Sequence, residues 1–278
     1  MLIDAHHHLW QYDPEQYSWI NDEMAVLKQD FGAPELRQIS SENGVDCFVS
    51  VQARQAVQDT RDLLAIADSE SKIAGVVGWV PLASPDVEAS LDEFSDNPKL
   101  KGVRHVVQDE PDDRFLDGRE FNEGVAKLAG RGLVYDVLIF PRQLPAAIDF
   151  VDRHPAIPMV LDHIAKPAIA KACFDQGWKD NFVELAKRDN LTCKLSGIAT
   201  EVRDAEWDIE TMRPYFDIAM EAFGPSRMMF ASDWPVCLLA SEYSRWLNVV
   251  NELMAPFSDS EKEAFFSGTA IKAYGLEV

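Results

Sequence analysis

What this chain of 278 residues lacks narrows it quickly. No apolar run approaches the roughly 20 residues of a membrane span. Nothing at its start reads as a signal peptide, because a strand pattern carrying Asp4 begins at once. Basic residues are scarce: 26 Lys and Arg stand against 47 Asp and Glu, for a net charge of −21, with no Lys/Arg cluster. Such a field repels phosphate backbones and anionic headgroups, so neither nucleic acid nor a membrane is an expected partner. Cys47, Cys173, Cys193 and Cys237 are far apart and form no C-x-x-C pair. Cys47 and Cys193 lie in strand-like runs, where a buried free thiol is the usual role. A cytoplasmic location is expected. There is also no internal repeat, no low-complexity tract and no G-x-S-x-G elbow, which argues against a covalent acyl-enzyme.

What is present is an ordinary globular composition, 47% hydrophobic and 26% charged. Short β-rich apolar runs recur at 2–8, 47–52, 73–80, 100–106, 133–139, 158–163, 191–196 and 228–232, with helical patterns between them. Pro34 suits the first turn of one helix, the stretch 59–68 carries Leu63, Leu64 and Ile66 on one side, and Ser84-Pro85 begins another. Strand–helix alternation predicts a parallel sheet, and about eight such units in this length predict an α/β fold, a single (β/α)8 TIM-type barrel over 1–278. A doubly wound open sheet is the runner-up, but no Gly-rich turn follows its first strand. Residues 11–32, with Tyr12, Tyr17 and Trp19, read as a loop insertion over one end. A final helix at about 259–274 is expected to pack outside.

In such a barrel the site lies at the C-terminal strand ends. Half of the chain's six histidines sit in "DAHHHLW". Strand alternation puts His6 and His8 on one face, where two imidazoles can converge on an ion or a substrate, and leaves His7 facing outward in a structural role. The other strand ends bring Gln52 with Arg54 behind it, Trp79, Arg104, the pair Asp162 and His163, Lys194 with Ser196, and Asp233 with Trp234. Arg104 is favoured over the off-phase His105. Tyr135 and Asp136 fall early in their strand. Each has a blander role open to it. Asp233 could cap a helix, His163 could be a core histidine, Lys194 reads as a barrel-end ion pair, and Asp162 alternates away from His163 to fix a loop. Trp10, Trp79 and Trp234 could simply fill the rim, although aromatic faces also suit sugar C–H faces. His154 reads as surface structure.

In order along nearly the whole chain, "DAHHHLW", "VQA" with Thr60 and Leu63-Leu64 behind it, "LKGVRH", "LDHIAKP", "KLSG", "SDWP" and "GTAIKAYGL" resemble the amidohydrolase superfamily. The closer likeness is to its sugar-acid lactonase branch, that of L-fuconolactonase and L-rhamnonolactonase. The resemblance implies a catalytic set of His6, His8, His163 and Asp233. Dinuclear members add a bridging Lys or Glu on the fourth strand and a His on the fifth, where this chain has Arg104, His105, Tyr135 and Asp136. One zinc-like divalent ion on His6, His8 and Asp233, or metal-independent action, is therefore the expectation. In lactone hydrolysis Asp233 would take the proton of water, the histidine pair would polarise the carbonyl, and Trp10, Gln52, Arg54, Trp79, Arg104 and Trp234 would contact a sugar lactone. The rivals are a metal-dependent decarboxylase, a pyrone-dicarboxylate lactonase and a non-catalytic sugar-binding barrel.

Overall fold

The computed structural model describes residues 1–170, 174–202 and 206–278, so Cys173 lies outside the described residues. Eight strands form one parallel sheet in chain order: β1 (Ile3–His7), β2 (Cys47–Val51), β3 (Ile73–Gly78), β4 (Leu100–His105), β5 (Val134–Val137), β6 (Met159–Leu161), β7 (Leu191–Leu195) and β8 (Met228–Phe230). The chain after β8 returns to β1 through His8 N to Trp234 O (2.7 Å) and Asp233 N to His6 O (2.8 Å), which rounds the sheet into a barrel. One helix follows each strand: α1 (Ala33–Asn43), α2 (Val57–Ser69), α3 (Val87–Asp92), α4 (Arg119–Ala126), α5 (Leu144–Arg153), α6 (Gln176–Leu185), α7 (Ile209–Phe223) and α8 (Tyr243–Met254). The fold is a (β/α)8 barrel.

Two apolar layers hold it. Outward strand residues such as Phe48, Val103, Leu161 and Phe230 pack with Leu63, Phe150, Phe182 and Trp246 of the surrounding helices. Each such fully buried side chain contributes about 1.5–3 kcal/mol. Close approach is built in where α4 packs on the loop between β3 and α3: a Cβ on Gly124 would overlap the Leu82 carbonyl oxygen. Gly124→Ala must push backbone away from backbone and should destabilise by about 1–3 kcal/mol. A thermal melt within about one degree of the parent would contradict that packing.

Inside the lower barrel the side chains are small, among them Ala5, Val49, Ala74, Val134 and Val160. The room they leave is filled from below. The C-terminal helical run, α9 (Asp259–Glu263), a single π-turn (Ala264–Gly268) and α10 (Thr269–Tyr274), delivers Tyr274 and Leu276 into that inner layer. The Tyr274 hydroxyl donates to Asp136 on β5 at 2.9 Å. The expectation that this segment packs outside holds for its π-turn, where Phe265 and Phe266 join the outer layer, and is corrected for its end, which closes the N-terminal mouth of the barrel. Among the described residues no helix is long and apolar enough to cross a membrane.

The segment after β1 folds back over the opposite end. Trp10 and Phe31 exchange two backbone bonds of 2.9 Å, and a 3-10 turn (Asp22–Leu27) lies between them. Trp10 meets Phe31 edge to face, and Phe31 meets Trp234 in the same way, so an aromatic wall joins the insertion to the end of β8.

Candidate active site

β1 carries an irregularity that strict alternation misses. Its pairing with β2 slips between Asp4 and His7. Ala5 belongs to the inner apolar layer, and a bulge of this kind re-aims the side chains beyond it. His6 and His8 then share the interior, with Nε2 atoms 3.2 Å apart. His7 turns outward, where its Nε2 meets Ser50 Oγ at 2.8 Å. Asp4, fully buried, accepts from Ser232 N and Oγ and from Tyr243 OH, and so ties β1 to β8 and α8.

Asp233 closes the cluster from β8. Its Oδ1 lies 3.3 Å from His8 Nε2, 3.7 Å from His6 Nε2 and 4.0 Å from His163 Nε2. The loop that delivers His163 is unusual. His163, Ile164, Ala165 and Lys166 all have positive φ, between 47° and 59°. Left-handed backbone costs about 1–2 kcal/mol per non-glycine residue, so neighbours must impose it. They do: Ile164 O accepts from Trp178 Nε1 (2.8 Å), Lys166 N donates to His163 O (2.8 Å) and Lys166 Nζ pairs with Glu201 (3.1 Å). His163 Nδ1 rests on Ser196 Oγ at 2.8 Å. Gly197, at φ +64°, leaves room for both His163 and Asp233.

Beneath the histidines sits a buried charge set. Asp162 Oδ2 takes Arg104 Nη1 at 3.0 Å, while its Oδ1 faces Lys194 Nζ at 2.9 Å and His6 Nδ1 at 3.2 Å. Burial alone would raise Asp162, but Lys194, His6 and Arg104 outweigh it and hold the carboxyl well below its usual range. Asp233 behaves alike: burial raises it, yet His163, the His8 contact and His6 keep it far below an ordinary carboxyl. Burial, with Lys194 next, drives His6 down, and burial takes His163 to about 4. At neutral pH this leaves an ionised Asp233 beside the neutral imidazoles of His6 and His163.

Of the other residues singled out in the sequence, Gln52 and Arg104 adjoin this cluster. Arg104 Nη2 donates to Gln52 O at 2.7 Å and Nη1 reaches His6 Nε2 at 3.2 Å. Trp79 directly follows β3, its backbone doubly tied to Thr60 Oγ1 at 2.7 Å. Gln52 Oε1, Trp79 Nε1 and Arg104 Nε are buried polar atoms with no hydrogen-bond partner among the described residues. Trp234 and Trp10 are buried in the aromatic wall, and Trp10 Nε1 donates to Gln29 O. Arg54 is not brought to the cluster. Asp59, Asp62 and Gln16 take its guanidinium at a separate cavity of about 900 Å³ between the insertion and α2. His105 pairs with Glu110 and His154 with Asn122, both away from the histidine cluster. Cys193 and Cys237 are buried free thiols whose pKa burial pushes up, poor nucleophiles. Sequence reasoning missed Asp136 and Tyr274 as parts of the floor and Gly197 as a site residue. Asp136 alone carried a signal, as a polar residue inside an apolar strand run.

Could a metal ion fit? His8 Nδ1 donates to Val51 O at 2.8 Å, which leaves Nε2 as a lone pair aimed inward. Zinc bonds of ~2.0–2.1 Å in tetrahedral array separate ligand atoms by roughly 3.3 Å. The His6, His8 and Asp233 donor atoms, 3.2–3.7 Å apart, match that spacing. Three donors suit one ion with an open position. His6, Asp162 and His163 also lie within reach of one another, but Asp162 is already engaged by two cations.

Comparison with known proteins gives this geometry a setting. A family model described as amidohydrolase matches residues 3–276. The L-fucono-1,5-lactonase of Burkholderia multivorans (strain ATCC 17616 / 249) is 40% identical, covering 99% of this chain and 96% of the relative. An L-fucono-1,5-lactonase of Burkholderia ambifaria is 35% identical, with 99% and 96% covered. A crystal structure of an amidohydrolase from Burkholderia multivorans with bound zinc superposes with a TM-score of 0.95 at 39% identity, over 100% of both chains.

Proposed function

The chain belongs to the amidohydrolase family, and from that premise we propose that it is a sugar lactonase. Its substrate on this reading is a neutral six-carbon aldonolactone, L-fucono-1,5-lactone or a close deoxy or epimeric relative. The observation that carries the reading is the convergence of three imidazole Nε2 atoms within 4.0 Å of one ionised carboxylate oxygen at the strand ends.

Lactone opening asks for a proton acceptor, a partner for the carbonyl oxygen and a proton for the leaving oxygen. Asp233 accepts the proton of the attacking water and returns it to the ring oxygen as the C–O bond breaks. With Ser196 donating to Nδ1, His163 presents Nε2–H, a donor for the oxygen that gains charge. Gln52 Oε1, Trp79 Nε1 and Arg104 Nε are then left for ring hydroxyls, which both donate and accept. So depressed a carboxylate is a weak base. When bound on His6, His8 and Asp233, a divalent ion supplies the Lewis acidity that compensates for this.

Charge favours a neutral ring. A pyrone dicarboxylate needs a cation for each buried carboxylate. Arg104 is engaged by Asp162, and Arg54 by Asp59 and Asp62. The net charge of −21 helps to expel the sugar acid once the ring opens.

A proton-release assay over a lactone panel tests this. L-Fucono-1,5-lactone should exceed unsubstituted δ-valerolactone in kcat/KM by at least about a hundredfold, because several hydroxyl contacts of ~1 kcal/mol each separate them. Preferred turnover of 2-pyrone-4,6-dicarboxylate, or release of carbon dioxide from an aromatic acid instead, would reject the proposal.

A further inference from the structure

His6 is held in an ambivalent way. Each of its ring nitrogens faces one donor and one acceptor at nearly equal distance. Nδ1 lies 3.2 Å from Asp162 Oδ1 and 3.1 Å from Lys194 Nζ. Nε2 lies 3.2 Å from Arg104 Nη1 and 3.2 Å from His8 Nε2, an acceptor because the other His8 nitrogen donates to Val51 O. A neutral ring therefore has two complete arrangements. With the proton on Nδ1, Asp162 accepts it and the Nε2 lone pair faces the Arg104 donor. With the proton on Nε2, Lys194 donates to Nδ1, and Nε2–H points towards His8 and Asp233. No net charge changes between the two.

Lys194 is the residue that makes the second arrangement available, and it is anchored from the far end of the barrel. Its Nζ pairs with Asp136 at 2.6 Å and lies 5.4 Å from the Tyr274 ring centroid, while the Tyr274 hydroxyl donates to Asp136. Lys194, Asp136, Asp162 and His6 are wholly buried. Stability does not require such a set, since well-packed apolar side chains of similar volume often serve as well or better. The surrounding inner layer is otherwise made of alanines, valines and the like.

We propose that Lys194, anchored by Asp136 and Tyr274, is a positioning residue that sets the tautomer of His6. It gives the site two modes. In one, His6 offers an unprotonated Nε2 that can exchange its Arg104 contact for a cation shared with His8 and Asp233. In the other, His6 donates Nε2–H and can itself polarise a bound carbonyl. Only the activity arm of the test rests on the lactonase reading.

The test is the double variant Lys194→Met/Asp136→Asn, which removes one buried charge of each sign. Long-range proton–nitrogen correlation spectra of its metal-free, 15N-histidine-labelled form report the tautomer, with His6 assigned by its loss in His6→Asn. His6 should move to the Nδ1–H tautomer. Zinc affinity should then rise and the kcat of chelated enzyme for L-fucono-1,5-lactone fall, each by about tenfold or more, with KM within about twofold. An unchanged His6 tautomer overturns the proposal, even if zinc binds more tightly, since loss of a nearby cation alone would do that. If the double variant does not fold, Tyr274→Phe removes one hydroxyl and no charge and must shift the same spectrum in the same direction. A parental spectrum there overturns it as well. A parent enzyme that hydrolyses no sugar lactone would sink the proposed function while leaving the tautomer test intact.

Discussion

Asp233→Asn is expected to leave a folded barrel that has lost lactone hydrolysis by about a hundredfold to ten-thousandfold in kcat, the scale of general-base catalysis. The substitution preserves shape and keeps the backbone bond from residue 233 to His6 O. Asn also tolerates the positive φ of 61° found at this position. What it removes is the charge that three imidazoles converge on. A cation would lose its only carboxylate ligand in the His6, His8 and Asp233 set, so uptake of zinc should weaken in parallel. The check is kcat beside a thermal melt and a far-UV spectrum. A folded Asn variant with near-normal kcat would remove Asp233 from the chemistry.

Gly197→Ala should be nearly as damaging, for a steric reason. A Cβ there would stand 2.8 Å from His163 Nδ1 and 3.0 Å from Asp233 Oδ2, and the backbone sits at φ +64°. The strained φ costs about 1–2 kcal/mol of stability, which a melt registers as a drop of several degrees. The larger effect is on geometry. The methyl group displaces His163 from Ser196 and presses on the Asp233 carboxylate, and a shift of about 1 Å in a reacting group can cost about a hundredfold in rate. The expected variant is folded, modestly destabilised and about a hundredfold slower. A kcat within about threefold of the parent would show that the site tolerates displacement of both residues, and so that their placement contributes little to the rate.

The barrel was legible because buried parallel strands read as short apolar runs, and each run found in the sequence became a strand. His6 and His8 were legible because their two-residue spacing survives the slip in β1. The slip itself was not: that Ala5 and His6 both turn inward depends on pairing with β2. The left-handed turn from His163 to Lys166 left no trace either, since none of its residues is the glycine or asparagine that would announce positive φ. Lys194 stood out as a lysine in an apolar strand. Its partners Asp136 and Tyr274 come from distant elements, and only closure of the barrel brings them together. Arg54 is different, because the signal existed. Asp59 and Asp62 follow it by five and eight residues, in the first turns of α2, and they take its guanidinium.

The most direct measurement is the steady-state kcat/KM of the purified protein for L-fucono-1,5-lactone, followed by proton release and by appearance of the sugar acid. A value of about 10⁴ M⁻¹s⁻¹ or more, with one acid formed per lactone consumed, is the expected result, within the ordinary range for an enzyme on its own substrate. Binding without turnover, or a rate no different from the uncatalysed opening of the lactone, would contradict it.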